Sequence, residues 1–302
     1  MAEEAVIEID NLTKHYGDVV GVQDLSLTVR KGEIMGFLGP NGAGKTTTIR
    51  SCLALVSKTA GTITIFGLDS HRNAVAIRQR TGYLPGDFGL IPSVNTERYL
   101  QYLLSLSDCC SDEKMRSLAD RLELNLDRTT NELSKGNRQK VGIIQALMAD
   151  QDLIIMDEPT SGLDPLMQQE VYRILREEQQ DGKTIFMSSH ILAEAEQVCD
   201  RVAIIRDGRL EVVEEIQALQ EKTGKILEVE FRDPVDLDEF DIEGVTDLHS
   251  EDGKITLTIH ENLDQVVKTV SSHKILNMQL YTYSLEQLFL KYYGTDNDGG
   301  SA

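Results

Sequence analysis

Gly39-Pro40-Asn41-Gly42-Ala43-Gly44-Lys45-Thr46 carries the spacing G-x-x-x-x-G-K-[ST] directly after the apolar run Ile34–Leu38. Residues of these types at this spacing suit a cradle for phosphate. Gly42 and Gly44 let successive backbone N–H groups turn inward around anionic oxygens. A helix opening at Thr46, with Thr47 next in line, aims the positive end of its dipole at the same point. Lys45 is the candidate bridge between β- and γ-phosphates, and Thr46 offers its hydroxyl to Mg²⁺. The plainer alternative is a glycine-rich turn without ligand. The strand before the loop and the helix after it argue against that.

A second element must hold the metal. Leu153-Ile154-Ile155-Met156-Asp157-Glu158 ends a buried run in two carboxylates, at the strand end where α/β sheets place ligands. Asp157 is the candidate for Mg²⁺ through water. Glu158, one residue on, points elsewhere and is the candidate base for an attacking water. An apolar run ending in Asp-Glu is common by itself; beside the phosphate loop it gains its meaning.

The chain of 302 residues suits about two domains. Fifty acidic against thirty basic side chains give a formal charge of −20, the sign opposite to that of a bare nucleic-acid-binding domain. The excess acid reads as a solvated, solubilising surface, or as adaptation to a salty cytoplasm where charges are screened. No apolar run approaches the roughly 18 residues of a membrane-spanning helix. The acidic opening Met1–Glu4 is unlike a secretory signal, so an intracellular protein is expected. Cys52, Cys109, Cys110 and Cys199 lack zinc-site spacing and read as free, buried or half-buried thiols.

Strand and helix patterns supply the scaffold for these groups. Leu25, Leu27 and Val29 alternate with polar residues, as do Ile63 and Ile65 within Thr62–Phe66. Helical character runs from about 95 to 148, with Tyr99, Tyr102, Leu103 and Leu106 on one predicted face. A helix near Ser134 carries Val141, Ile144, Leu147 and Met148. Asp164-Pro165 opens another helix as N-cap and first-turn proline. Strands at Thr184–Met187 and Val202–Ile205 flank a helix over Ile191–Val198. Such alternation predicts a parallel α/β core with helices on both faces. Past Gly224, strands near 226–231 and 255–259 and a helix through Leu263, Val266, Val267 and Val270 predict a small α+β domain. Ser284-Leu285-Glu286-Gln287 is a capping box for a last short helix. The tail 295–302 reads as disordered.

With these motifs in order, residues 4 to 220 resemble the ATP-binding subunit of an ABC transporter. Leu133-Ser134-Lys135-Gly136-Asn137 stands where that family has its Leu-Ser-Gly-Gly-Gln signature. Ser161-Gly162-Leu163-Asp164 matches its D-loop, and His190 after Ser188-Ser189 its switch histidine. Tyr16 falls where the family stacks an aromatic ring on adenine. Taken singly, Tyr16 is a turn aromatic, His190 a cap or surface histidine, and Ser134 an N-cap. The resemblance implies a P-loop nucleotide-binding domain over 1–222, with a mixed sheet and a helical subdomain at about 95–148. A C-terminal accessory α+β domain over 223–294 follows. ATP and Mg²⁺ are the implied ligands. Ser134 and Gly136 of a second copy would close over the γ-phosphate held by the first, with Asp164 beside the nucleotide. Glu158 would orient water and His190 contact the γ-phosphate. The implied partners are a second nucleotide-binding subunit and a separate transmembrane permease, with no nucleic acid, at the cytoplasmic face of the membrane.

Two positions depart from that family's pattern. Tyr83-Leu84-Pro85-Gly86-Asp87 puts Gly86 where a Mg²⁺-sensing glutamine is usual, leaving Asp87 as a candidate for the metal or water contact. Lys135 and Asn137 replace glycine and glutamine of the signature. Both changes, and the closing Ser284–Phe289 segment, resemble a branch exporting drugs, antibiotics or lipids. Two other classes remain open on sequence. One is a soluble ATPase of the same family acting on ribosomes or DNA; the other is a nucleotide-binding regulatory module with little hydrolysis.

Overall fold

The computed structural model describes residues 4–106, 112–218, 224–251 and 253–282. Cys109, Cys110, the Ser284–Phe289 segment and the 295–302 tail lie outside them. The chain divides into two compact units, Met1–Glu214 and Glu215–Ala302. The boundary read from sequence at 222/223 falls among residues 219–223, which are not described.

The first unit holds two sheets. β1 (Ala5–Tyr16) and β2 (Val19–Arg30) form an antiparallel hairpin, turned by Gly17 at φ 60°. β4 (Ala60–Ile65) pairs antiparallel with β1, and β5 (Leu68–Asp69) completes a sheet ordered β2-β1-β4-β5. The second sheet contains β3 (Ile34–Leu38), β6 (Thr81–Leu84), β7 (Leu153–Asp157), β8 (Thr184–Ser189), β9 (Arg201–Arg206) and β10 (Arg209–Glu215). Its order is β10-β9-β3-β8-β7-β6, with parallel registers from β9 to β6. The alternating sequence pattern anticipated this parallel part. It did not separate off the antiparallel sheet, whose strands differ from the continuously apolar parallel ones by their alternating burial.

One core joins the sheets. Ile7, Leu12, Leu25 and Ile63 pack with Phe37, Ile155 and Phe186, and with Ile49 of α1 (Lys45–Cys52). β3, β7 and β8 are buried throughout, so their runs are almost continuously apolar, up to the polar C-terminal ends of β7 and β8 and the phosphate-loop glycines that follow β3. Those ends are where the candidate chemistry gathers. The buried Cys52 thiol is pushed up to about 12 by loss of solvent and is chemically inert at neutral pH.

Within the span 95–148 lie three helices, α3 (Thr96–Leu104), α4 (Asp112–Arg121) and α5 (Lys135–Leu147), which follow α2 (Ala74–Gln79). The face predicted for α3 needs correction. Tyr99 is buried, but Tyr102 and Leu106 are exposed, and Leu100 and Leu104 are buried instead. Two apolar stripes overlap on that helix, and the Leu100–Leu104 pair at i, i+4 is the one that packing selects. α4 is tied to α6 (Pro165–Gln180) by Lys114–Glu178 at 2.7 Å and by Arg121 to Glu170 at 2.7 Å and Glu177 at 2.5 Å. α7 (Leu192–Val198) follows β8.

The second unit is an antiparallel sheet ordered β12-β13-β11-β14, from β11 (Lys225–Phe231), β12 (Val245–Glu251), β13 (Lys254–Ile259) and β14 (Ile275–Thr282). Leu227, Val229, Ile255 and Leu257 pack with Val266 and Val270 of α8 (Leu263–Ser271). Val267, read from sequence as part of that face, is 44% exposed: Val266 and Val270, one helical turn apart, hold the buried stripe.

Candidate functional site

The loop between β3 and α1 is shaped by two left-handed glycines, Gly42 at φ 85° and Gly44 at φ 108°. Gly44 is the N-cap of α1, and a Cβ there would sit 2.5 Å from the Gly21 carbonyl oxygen. Only glycine fits. A Cβ on Gly39 would lie 2.3 Å from the carbonyl oxygen of Ile205, so the loop's start is equally close-packed. Ala43 N–H donates to the Pro40 carbonyl at 3.2 Å, and Asn41 and Gly42 form the exposed rim. Thr48 N–H makes the first intrahelical bond, to Gly44 at 2.9 Å. The N–H groups of Gly44, Lys45, Thr46 and Thr47 therefore have no intrahelical acceptor and front the loop. That is an anion site by construction.

Lys45 is buried. Its Nζ donates to the carbonyls of Gly39 at 2.7 Å and Pro40 at 3.2 Å, and stands 3.7 Å from Glu158 Oε1. Thr46 Oγ1 donates to Asp157 Oδ2 at 2.7 Å, and Ser188 Oγ donates to Asp157 Oδ1 at 2.5 Å. The buried Asp157 carboxylate is thus pinned from both sides. A hydroxyl beside a fixed carboxylate is an oxygen-only donor set, which fits Mg²⁺. Among the described residues no group of three or more His, Cys, Asp or Glu forms a metal cage, so the remaining ligands would be phosphate and water.

Glu158 leaves the strand direction at φ 53°, a left-handed backbone uncommon for a residue with a side chain. Its N–H is held by Ser188, through Oγ at 3.1 Å and the carbonyl at 3.3 Å. The turn directs its carboxylate to His190, with Nδ1 3.3 Å from Oε1. Lys45, Asp157, Glu158 and His190 are thereby gathered from three different strand ends. Gly39 N–H adds a bond to the Ser189 carbonyl at 3.3 Å, tying the phosphate loop to the histidine's strand.

Gly86 lies beside the same carboxylate. A Cβ at 86 would be 3.0 Å from Asp157 Oδ2 and 3.1 Å from its Cγ. With Asp157 held by Thr46 and Ser188, a side chain there would press the carboxylate aside by a few tenths of an ångström. Asp87 is exposed and, one residue away, offers its carboxylate to solvent. Tyr16 closes β1 with its ring 47% exposed and Lys14 Nζ 4.7 Å from the ring centroid. Asp164 caps α6, accepting from Leu166 and Met167 N–H at 3.1 Å each.

Ser134 is the N-cap of α5, accepting from Asn137 N–H at 3.2 Å, and its exposed hydroxyl faces outward from the chain. A Cβ on Gly136 would lie 2.8 Å from the Gly162 carbonyl oxygen, so the Ser134–Gly136 turn seats on the Ser161–Asp164 loop. Lys135 lays its aliphatic stem against Gly162. Three contributors were not read from the sequence. Gln139 is buried on α5 and donates to the carbonyls of Glu158 at 3.1 Å and Pro159 at 2.9 Å. Ser188 links the two carboxylate residues, and buried Glu194 accepts from the Ser189 and Thr160 hydroxyls. A glutamine at the start of a largely apolar buried helix face, beside buried Lys140, was the one available signal.

The ABC transporter family model matches residues 22–161. The sequence is 38% identical to Nod factor export ATP-binding protein I of Paraburkholderia xenovorans (strain LB400), over 68% of this chain and 69% of that protein. It is 34% identical to bacitracin transport ATP-binding protein BcrA of Bacillus licheniformis, over 96% of this chain and 97% of that one. Among solved structures it is similar to an ATP-binding subunit of an ABC transporter, with TM-score 0.66 and 29% identity over 72% of this chain and 92% of the other. A dimeric bacterial ABC transporter cassette is similar at TM-score 0.64 and 25% identity, over 70% and 98% of the two chains.

Proposed function

The chain belongs to the ABC transporter family, and from that premise we propose that it is the ATP-hydrolysing subunit that drives export through a separate membrane permease. It is an ABC ATPase of exporter type; its curated relatives are named as a Nod factor export and a bacitracin transport ATP-binding protein. What supports the assignment of roles is one observation: Lys45 Nζ and His190 Nδ1 stand 3.7 and 3.3 Å from the same Glu158 oxygen, beside an Asp157 fixed by Thr46.

In this reading Gly39–Thr47, including Pro40, Asn41 and Ala43, bind the triphosphate, Tyr16 packs on the base, and Thr46 and Asp157 hold Mg²⁺. The ion, when bound, would neutralise charge developing on the transferred phosphoryl group. Glu158 orients water and accepts its proton, and His190 donates toward the γ-phosphate while its Nδ1 faces Glu158. Ser134 and Gly136 of a second copy, with its Asp164 loop, complete the pocket. The solved cassette similar to this chain is itself dimeric. Among the described residues no helix is long and apolar enough to cross a membrane, so the permease is proposed as a separate chain and this one as bound to its cytoplasmic side. Residues 1–222 are proposed as the nucleotide-binding domain and 223–294 as an accessory domain. Neither alternative class is favoured by any feature of the site.

The test is reconstitution of the full chain with its membrane partner in vesicles. Mg·ATP hydrolysis and outward movement of a cargo that rise and stop together support the proposal; hydrolysis that is the same with and without the membrane partner and moves no cargo would refute it.

Gly86 makes a prediction specific to this chain. Gly86→Ala should raise the Mg²⁺ concentration for half-maximal hydrolysis by about 10-fold, since it shifts Asp157, the carboxylate proposed to hold the ion. Metal-free nucleotide binding should stay unchanged. An unaltered Mg²⁺ dependence would contradict a metal site that depends on the exact placement of the Asp157 carboxylate.

A further inference from the structure

We propose that Glu194 is a positioning residue coupling the histidine loop to the Ser161–Asp164 loop, an inference that rests on the function proposed above. Glu194 lies on α7, is 7% exposed, and takes no part in the roles assigned so far. Its two oxygens go to different loops. Oε2 accepts from Ser189 Oγ at 2.6 Å, and Oε1 accepts from Thr160 Oγ1 at 2.7 Å. The Tyr172 hydroxyl on α6 joins the same pair, and burial together with the Glu194 charge holds its pKa well above the usual phenol range.

Each hydroxyl has one proton, so a bond to Glu194 fixes where its lone pairs face. With its proton on Glu194, Ser189 Oγ accepts from Ile191 N–H at 3.0 Å, closing the turn around His190. Thr160 sits at the head of the other loop: its carbonyl accepts from Leu163 N–H at 3.1 Å. Gly162, within that turn, is the seat of Gly136. A continuous path therefore runs from His190 through Ser189, Glu194, Thr160 and Gly162 to the Ser134–Gly136 turn. His190 serves the chain's own nucleotide, whereas Ser134 and Gly136 serve the second copy's. Glu194 is where the two are mechanically joined. Buried carboxylates demand such donors, so movement of one loop cannot leave the other unaffected without orphaning an oxygen.

The experiment is a mutant cycle on the full chain, measuring single-turnover ATP cleavage with Mg²⁺ alongside ATP affinity and thermal stability. Ser189→Ala and Thr160→Val should each lower the rate about 10-fold, and the double variant should be no slower than the singles, because both cut one path. Glu194→Gln, which keeps size but can accept from only one of the two hydroxyls, should reproduce that loss with ATP affinity unchanged. Adding either hydroxyl deletion to it should cost nothing further. If the single effects multiply to about 100-fold in the double variant, the loops act independently and the coupling is overturned. A wild-type rate in Glu194→Gln overturns it equally. Should Glu194→Gln not fold, the Ser189–Thr160 pair still decides. Failure of the underlying function looks different: the wild type and Glu158→Gln would then cleave ATP alike, and the inference would fall with it.

Discussion

Glu158→Gln is expected to cut ATP turnover at least about 100-fold while ATP still binds, the effect of removing a well-placed general base. The substitution keeps the side chain's length, so the backbone turn at φ 53° and the Ser188 bonds to its N–H survive. What it removes is the carboxylate that faces His190 at 3.3 Å and Lys45 at 3.7 Å. An amide cannot take the proton of an attacking water. A hundredfold corresponds to about 2.7 kcal/mol of transition-state stabilisation. Steady-state hydrolysis beside equilibrium nucleotide binding separates the two quantities. Near-normal turnover would remove Glu158 from the chemistry.

Lys45→Ala should act on binding, lowering ATP affinity about 10- to 150-fold, the span of a lost charge-assisted bond of about 1.5–3 kcal/mol. Lys45 is the buried cation at the loop, and its Nζ already spans the Gly39 and Pro40 carbonyls. Alanine removes both the phosphate partner and that internal brace. Thermal stability without nucleotide reads the brace alone; calorimetric titration with ATP reads the sum. Unchanged affinity would count against a phosphate site between β3 and α1.

Local patterns made the core of this site legible before any coordinates. The glycine spacing of 39–46 marks a tight turn leading into a helix N-terminus, and the apolar run ending at Asp157 identifies a buried strand with a carboxylate at its tip. Residues whose role depends on a tertiary neighbour were not legible. Ser188 and Ser189 look like a polar strand end; only the arrival of β7 and α7 beside β8 turns them into anchors for Asp157, Glu158 and Glu194. Gln139 and Thr160 are of the same kind. Gly86 was noticed for the residue missing there, yet its close approach to Asp157 is a packing fact that no spacing carries. In the fold, continuous apolar strands and capped helices such as Ser134–Leu147 and Asp164–Gln180 read well. The buried face of α3 did not, since two stripes competed and the partner surface chose. β12 and β14 lack clean alternation: β14 is an edge strand with nearly all its residues exposed.

Sedimentation of full-length Glu158→Gln, with and without Mg·ATP, bears most directly on whether each copy completes the other's pocket. The chain should sediment as a monomer without nucleotide and as a dimer when saturated with it. Ser134→Arg, placing bulk on the exposed cap of α5, should abolish the shift while leaving each copy's own ATP binding intact. A nucleotide-loaded chain that stays monomeric at high concentration, alone and with its membrane partner, would contradict the shared site.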